Sequence, residues 1–558
     1  MKNLFLILFF LGLTTVNSQV NVEEANPPVK IPLKLSGNFG ELRSSGFHSG
    51  IDIKTLGKEG VEIKSIDEGY ISRISISLSG FGKAIYITHP NGFTSVYAHL
   101  SRFNDNIEKL IQAFQYQKKS FVINRFFKKD EFIISKDDVI GYSGNTGSSF
   151  GPHLHFEIRK SSENLPINPL RFGYPIEDTI PPTIRGLFLY KIGDKFNKRK
   201  KINIKRISSN TFQSEPIKSN GRFGFGVISD DRQNKSYNIN GTYNYKLIKN
   251  DSTEFEIEFD NFSFDEKSSQ MKLMDYGYYV DKNSRLIKIF SDGRLKTNFI
   301  KSKNSGIIDV AENDSIKIKI LLSDYSNNKT QVNINLIGTS DNLDYYYDDF
   351  SNFNSLIKKS EDFNFYENGA EVKIKKNTFN NDTFLDIKYL RDTLFVVNPK
   401  VYVFKGIEIS MPQKVQNSKQ TYIANMDDRG NKIFAGRTKI KNNFKFKTNN
   451  LGKFYEDIDS IAPTIKQLNR KNKISFQIKD HETGVKKYDV FVNGKWHLFE
   501  YEPKRNEIFC SLNGLEIFEK EINIKVVVED LVGNKKILNK RLTPVSYTHL
   551  TLPTSYPV

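Results

Sequence analysis

Short runs of alternating apolar and polar side chains dominate the first part of this chain. Val61-Glu-Ile-Lys-Ser-Ile66, Gly69-Tyr-Ile-Ser-Arg-Ile-Ser-Ile76, Lys83-Ala-Ile-Tyr-Ile-Thr88 and Thr94-Ser-Val-Tyr-Ala98 are the clearest cases. A period near two is that of a half-buried strand, so these segments predict strands. Gly80-Phe-Gly82 and Pro90-Asn91-Gly92 supply turns between them. The period then changes. Ile107, Leu110, Ile111 and Phe114 fall on one helical face, and Asp105 with Glu108 has the spacing of a capping box. Residues 120–127 and 131–135 flank Lys128-Lys-Asp130 and predict a hairpin. The stretch 104–137 is therefore an insertion, either a wall over a groove or a packed addition remote from substrate.

Strand patterns continue to the end. Asp178-Thr-Ile-Pro-Pro-Thr-Ile184 and Asp459-Ser-Ile-Ala-Pro-Thr-Ile465 repeat one motif. Each opens a stretch that closes alike, on Asp324-Tyr-Ser-Asn-Asn328 and on Asp530-Leu-Val-Gly-Asn534 after alternating strands. Proline suits the entry to an edge strand, and Asp, Asn and Gly suit a hairpin turn. Two immunoglobulin-like or fibronectin-like sandwiches are expected, at 178–338 and 459–542. Residues 339–458 are strand-rich and Asn-rich, and fit a third small β domain. A Gly-rich unit at 31–175 precedes them. The fold class expected is mainly β, an antiparallel unit followed by two or three sandwiches. Residues 545–558 carry no charge and resemble non-native readthrough.

Composition narrows the setting. At 558 residues the chain exceeds a single core. Met1-Lys2-Asn3, the apolar run from Leu4 to Leu13, and the small residues up to Ser18 have the pattern of a signal peptide, assigned to 1–18. That apolar run is about half of the roughly 20 residues a spanning helix needs, so no transmembrane segment is expected. The protein is expected in the periplasm or cell envelope. The one cysteine, Cys510, excludes an intrachain disulfide and sits in a strand pattern that suggests burial. The net charge of +18 is spread along the chain, which favours compositional bias over a dedicated anionic partner, and nucleic acid is not expected.

The chemistry is concentrated in three short stretches. His48-Ser-Gly-Ile-Asp52, Tyr97-Ala-His99-Leu100 and Gly151-Pro-His153-Leu-His155-Phe-Glu157 hold four of the eight histidines. Hydrolytic zinc sites use three protein ligands and leave a position for water. His48 and His155 can supply imidazoles and Asp52 a carboxylate, with Gly50 letting the backbone bend between them. Two His with one carboxylate and no thiolate is the donor set of a catalytic rather than a structural Zn2+ site. His153 and His155 share a strand face, so one can bind metal while the other faces the reaction. His99 and His153 are the groups available for proton transfer near neutrality. Glu157, on the same strand face, either orients an imidazole or is an ordinary strand glutamate. His89, His481 and His497 read as structural.

These motifs, with Gly144-Asn-Thr-Gly147 ahead of the last, resemble those of the lysostaphin-like (LytM-type) zinc metallopeptidases, which are peptidoglycan endopeptidases. The resemblance covers about residues 35–172. It implies that His48, Asp52 and His155 bind one Zn2+, that His99 and His153 orient water and stabilise the oxyanion, and that an antiparallel β fold sets the site in an open groove. It makes 31–175 a metallopeptidase domain that cuts peptide stems of peptidoglycan through a metal-activated water. The expected bond is a D-Ala to diaminopimelate cross-link. Envelope proteins are candidate partners for the sandwiches. The alternatives are a non-catalytic wall-binding protein that activates another hydrolase, a zinc peptidase acting on exported proteins, and a surface scaffold in which the sandwiches do the work.

Overall fold

The computed structural model describes residues 26–43, 46–193, 198–291, 295, 297–341, 343–346, 353–415, 419–440, 442–511 and 521–542. The leader assigned to 1–18 and the tail 545–558 lie outside them. The described residues are mainly β. Seven strands form the path of the first large sheet: β1 (Leu35–Gly37), β2 (Ile51–Lys54), β3 (Gly69–Ile76), β4 (Lys83–Thr88), β5 (Phe93–Leu100), β6 (Ile123–Phe126) and β7 (His153–Lys160). Their order is β1-β2-β7-β5-β4-β3-β6, and every pairing is antiparallel.

Alternation explains why this sheet has one dry face and one chemical face. On β7, Leu154, Phe156 and Ile158 enter the core beside Ile51 and Ile53 of β2, Ile85 and Ile87 of β4, and Tyr97 of β5. Each such side chain contributes about 1.5–3 kcal/mol by leaving water. The intervening His153, His155, Glu157 and Arg159 share the opposite face. A one-residue slip would bury the histidines among Ile and Phe, so the apolar set secures the register of the polar one.

The insertion differs from expectation in two ways. Helix α1 (Asp105–Lys118) is capped by Asn104, whose side chain accepts from the Ile107 amide, so the cap lies one residue earlier than Asp105. Glu108 accepts from the Phe103 amide, satisfying a second free donor. The predicted hairpin does not pair with itself. Ile123–Phe126 and Ile133–Ile134 both run antiparallel along β3, one after the other. The eight-residue β3 offers an edge long enough to take both. The strands of the insertion thus extend the sheet at the edge three strands beyond β5, away from β7.

Three further strand-rich regions follow. In the first, two sheets are organised around β8 (Thr183–Ile192) and β9 (Gly221–Asp230), and around β10 (Ser315–Ser323) and β11 (Lys329–Ile337). Short strands at Thr211–Ser214 and Ile217–Lys218 pair parallel to β11, an exception to the antiparallel rule. Residues 355–458 form sheets of six and five strands, and 464–542 form two sheets of four. These last two regions each enclose a separate core. The region after 183 shares a core with the first sheet. Phe47 meets Phe259 at 4.8 Å and Phe299 at 5.4 Å between ring centroids, and Phe39 meets Phe262 at 4.9 Å.

The sequence repeat has a structural counterpart. Asn328 donates its side-chain amide to the Asp178 carbonyl at 3.1 Å, and Asn534 donates to the Asp459 carbonyl at 2.7 Å. The closing turn of each repeat therefore ties down its opening strand. The last region also touches the first sheet. Lys83, buried, pairs with Glu500 at 2.8 Å, Lys504 bonds the Asn145 carbonyl, and Tyr116 of α1 meets Trp496 edge-on. Cys510 is half-buried, its Sγ 3.5 Å from His497 Nε2. No helix among the described residues is long and apolar enough to cross a membrane.

Candidate metal centre

Register brings the first two ligand candidates together. His155 of β7 lies directly opposite Asp52 of β2, so both side chains leave the sheet on the same face. His48 enters from the segment before β2, held by its amide on the Glu41 carbonyl at 2.9 Å. Gly50 is needed there for closeness rather than for an unusual φ, since a Cβ would lie 2.3 Å from the Phe156 carbonyl oxygen.

His48 Nε2, His155 Nδ1 and Asp52 Oδ1 converge. The two nitrogens are 2.9 Å apart, and each lies 2.9–3.1 Å from the carboxylate oxygen. Their partners on the far side settle which nitrogens carry protons. His48 Nδ1 faces the Asn38 carbonyl at 2.8 Å, and His155 Nε2 faces Glu157 Oε1 at 2.8 Å. Both partners only accept, so those nitrogens are the N–H groups. The opposite ring nitrogens and the carboxylate oxygen then meet as a buried cluster of three donor atoms. Without a metal, His155 Nδ1 shares a proton with Asp52, and a cation bound to the cluster takes that proton's place. A tetrahedral zinc with bonds of about 2.0–2.2 Å separates its ligands by about 3.3–3.6 Å, a few tenths of an ångström more than the spacing here, and the donor set suits it. The residues therefore fit the group.

Electrostatics follow the same geometry. Burial opposes charge on His155, but hydrogen bonds to Asp52 and Glu157 hold its pKa up at about 9. Burial would raise Asp52, yet His48, His153 and His155 hold its carboxyl well below the usual range. Arg43 adds a 2.6 Å contact to Asp52 Oδ2. Burial, opposed by Asp52, lowers His48.

The two remaining histidines stand beside this cluster. Strand periodicity puts His99 on the core side with Tyr97. A register irregularity between β4 and β5 and a left-handed φ of 61° turn it instead towards the site. Its ring centroid lies 4.8 Å from that of His153 and 5.8 Å from that of His155. His99 Nδ1 donates to the Thr146 carbonyl at 2.8 Å, leaving Nε2 as the basic atom. Burial, then His155 and His153, depress its pKa to about 3, so the ring is neutral at working pH. His153 Nδ1 faces the Gly151 carbonyl at 2.8 Å, and its Nε2 lies 3.5 Å from Asp52 Oδ1.

The structure brings all five sequence candidates, His48, Asp52, His99, His153 and His155, to one place. It adds positioning residues that residue chemistry alone did not single out: Asn38, Arg43, Ser49, Thr146 and Arg159. Ser49 donates to Glu157 Oε1, and Arg159 Nε donates to its other oxygen at 2.6 Å. Glu157 is wholly buried, so it belongs to the imidazole-orienting reading rather than the surface one. Only Thr146 had a visible signal, the Gly144–Gly147 motif. His89 is satisfied structurally, between the Glu68 carbonyl and Ser95 Oγ at 2.7 Å each.

Residues 46–169 match the profile of peptidase family M23. This segment is an M23 peptidase domain. Over 147 residues the chain is 31% identical to the DD-carboxypeptidase/endopeptidase Mpg of Neisseria meningitidis serogroup B, covering 25% of this chain and 27% of that protein. It is 30% identical over 139 residues to the murein hydrolase activator NlpD of Salmonella dublin, covering 25% of this chain and 29% of that one. The chain thus spans about a quarter of the length of the curated relatives it matches. Among solved structures, the catalytic domain of lysostaphin from Staphylococcus simulans matches at 24% identity over 25% of this chain and 91% of that one, with a TM-score of 0.19. The M23 match ends before β8, so the later sheets lie outside it.

Proposed function

We propose that this protein is an exported zinc endopeptidase that hydrolyses peptide cross-links of peptidoglycan, with D-Ala to diaminopimelate as the bond. The observation that carries the reading is the convergence of three donor atoms from His48, Asp52 and His155. These three residues hold the metal. A zinc ion there supplies Lewis-acid chemistry to a water and to the scissile carbonyl. His99 and His153 handle protons. Each has its Nδ1–H committed to a backbone carbonyl, so a proton taken from water arrives at Nε2. The protonated ring is then a donor to the oxyanion and to the departing amine. Glu157, clamped by Arg159, prevents His155 from rotating. Export rests on the leader pattern, and the regions beyond residue 178 serve as sandwiches that position the enzyme in the envelope.

The test uses purified full-length protein and defined muropeptides, with products read by mass spectrometry. Cleavage between stems, abolished by a chelator and restored by zinc, is expected. Protein substrates cut in preference to muropeptides would overturn the substrate class. The resemblance to a murein hydrolase activator supports a second reading, a non-catalytic activator. In that case muropeptides stay intact with zinc bound, while a separate wall hydrolase is stimulated.

A further inference from the structure

A second cluster of ligating groups lies where the M23 domain passes into the region after it. Asp178 stands ahead of β8, Asp231 follows β9, and Asp324 occupies the turn between β10 and β11. One carboxylate oxygen from each comes within 4.8 Å of the others. They line a cavity of about 180 Å³ together with Asn240 and Tyr174. Three carboxylates so close would be poor evidence alone. The second observation is that the cavity also holds three buried oxygens with no hydrogen-bond partner: Asp231 Oδ1, Asn240 Oδ1 and Tyr174 Oη. Asn240 is only 5% exposed, and its backbone pairs with that of Asp231, which brings the two side chains to one side. Unsatisfied buried oxygens are rare and call for a partner.

We propose that Asp178, Asp231, Asp324 and Asn240 form a calcium site. The donors are all oxygens, without imidazole or thiolate, which suits a hard cation. Calcium binds six to eight oxygens at about 2.3–2.6 Å in flexible geometry and takes protein carboxylates and carbonyls directly, whereas magnesium demands near-octahedral geometry at about 2.0–2.1 Å and keeps several waters, so an irregular all-protein cage favours calcium. The second repeat makes an instructive contrast. Asp459, Asp480 and Asp530 converge as well, and Asp530 accepts from the amides of Val532, Gly533 and Asn534 much as Asp324 accepts from Asn328 and Asp178 from Ile180, while Asp480 accepts from those of Glu482, Thr483 and Gly484. Among the described residues that cluster contains no orphaned oxygen, and we assign it nothing.

The cation would order more than its ligands. The loop from Asp231 to Gly241 bonds β1 from two sides. Gln233 takes the Leu35 amide at 2.8 Å and donates to the Leu33 carbonyl at 2.9 Å, while the Gly241 amide donates to Asn38. Asn38 in turn orients His48. Calcium at the junction therefore braces one wall of the zinc site.

Titration calorimetry and thermal melts of the full chain with calcium chloride test this. Calcium is expected to bind and raise Tm, with magnesium weaker. Asp231→Asn and Asn240→Ala are each expected to lose about tenfold or more in calcium affinity while keeping the native circular dichroism spectrum. Terbium emission excited through Tyr174 and Tyr325, and displaced by calcium, checks the location without any variant. Absence of calcium binding to the wild-type chain overturns the proposal, as does unchanged affinity in the two folded variants or tighter binding of magnesium. None of these readouts uses hydrolysis, so they stand or fall apart from the peptidase reading.

Discussion

His99 shows how a single backbone torsion places a side chain. At φ 61° it occupies the left-handed region, uncommon outside glycine, and its imidazole faces His153. Roles separate cleanly at this scale. His48→Ala is expected to lose both bound zinc and hydrolysis. His99→Ala is expected to retain zinc while kcat falls about 10²–10⁴-fold, since only proton transfer is removed. Metal analysis alongside the muropeptide assay distinguishes the two. Glu157→Gln should weaken zinc affinity about 10–100-fold by loosening His155, measured by competition with a chromogenic chelator. Far from the metal, burial would raise the Glu507 carboxyl, but hydrogen bonds from Arg470 and Ser475 hold it at about 2. An unfolded glutamate titrates near about 4.3. The stabilisation is therefore complete above that pH and is lost as pH falls towards 2. Melts of wild type and Glu507→Gln should differ at pH 6, and the gap should close over that window.

At the scale of elements, the Gly144–Gly147 loop and the Gly80–Gly82 turn make contact as two backbones. A Cβ on Gly82 would sit 2.3 Å from Thr146 Oγ1, and one on Gly147 would sit 2.3 Å from the Gly80 carbonyl oxygen. Both glycines also have positive φ. This approach carries the Thr146 carbonyl to His99. Gly82→Ala is expected to reduce hydrolysis while zinc stays bound, because the loop that seats His99 moves and the three ligands do not. Strand positions were legible in the sequence. β3 and β4 occupy the segments their alternation predicts, because a period-two pattern needs no distant partner to be recognised. The insertion was not: its two strands read as facing partners, yet each finds the free edge of β3. Edge pairing is decided by which strand is left open, and that is known only after the sheet assembles.

For the whole molecule, the division at residue 178 is less clean than the motif there suggests. Phe39 and Phe47 of the first unit pack on Phe259, Phe262 and Phe299. Removing everything after 178 would expose those rings, and we expect the truncated protein to aggregate. Removing 464–542 breaks the polar contacts of Lys83 and Asn145 and one aromatic contact of α1. That shorter protein should stay folded and hydrolytic. Size-exclusion chromatography with the muropeptide assay checks both expectations.

Sequence alone was enough to mark the five residues that the fold brings together, the β class and the repeat, because donor type, alternation and motif spacing are local properties of the chain. Tertiary structure decided the rest. It set which nitrogen of each imidazole faces the cluster, turned His99 out of its strand face, buried Glu157 against Arg159, and gathered Asp178, Asp231, Asn240 and Asp324 around one cavity. Each of these depends on register between segments far apart in the chain, and register exists only once the apolar face of the sheet has found its core.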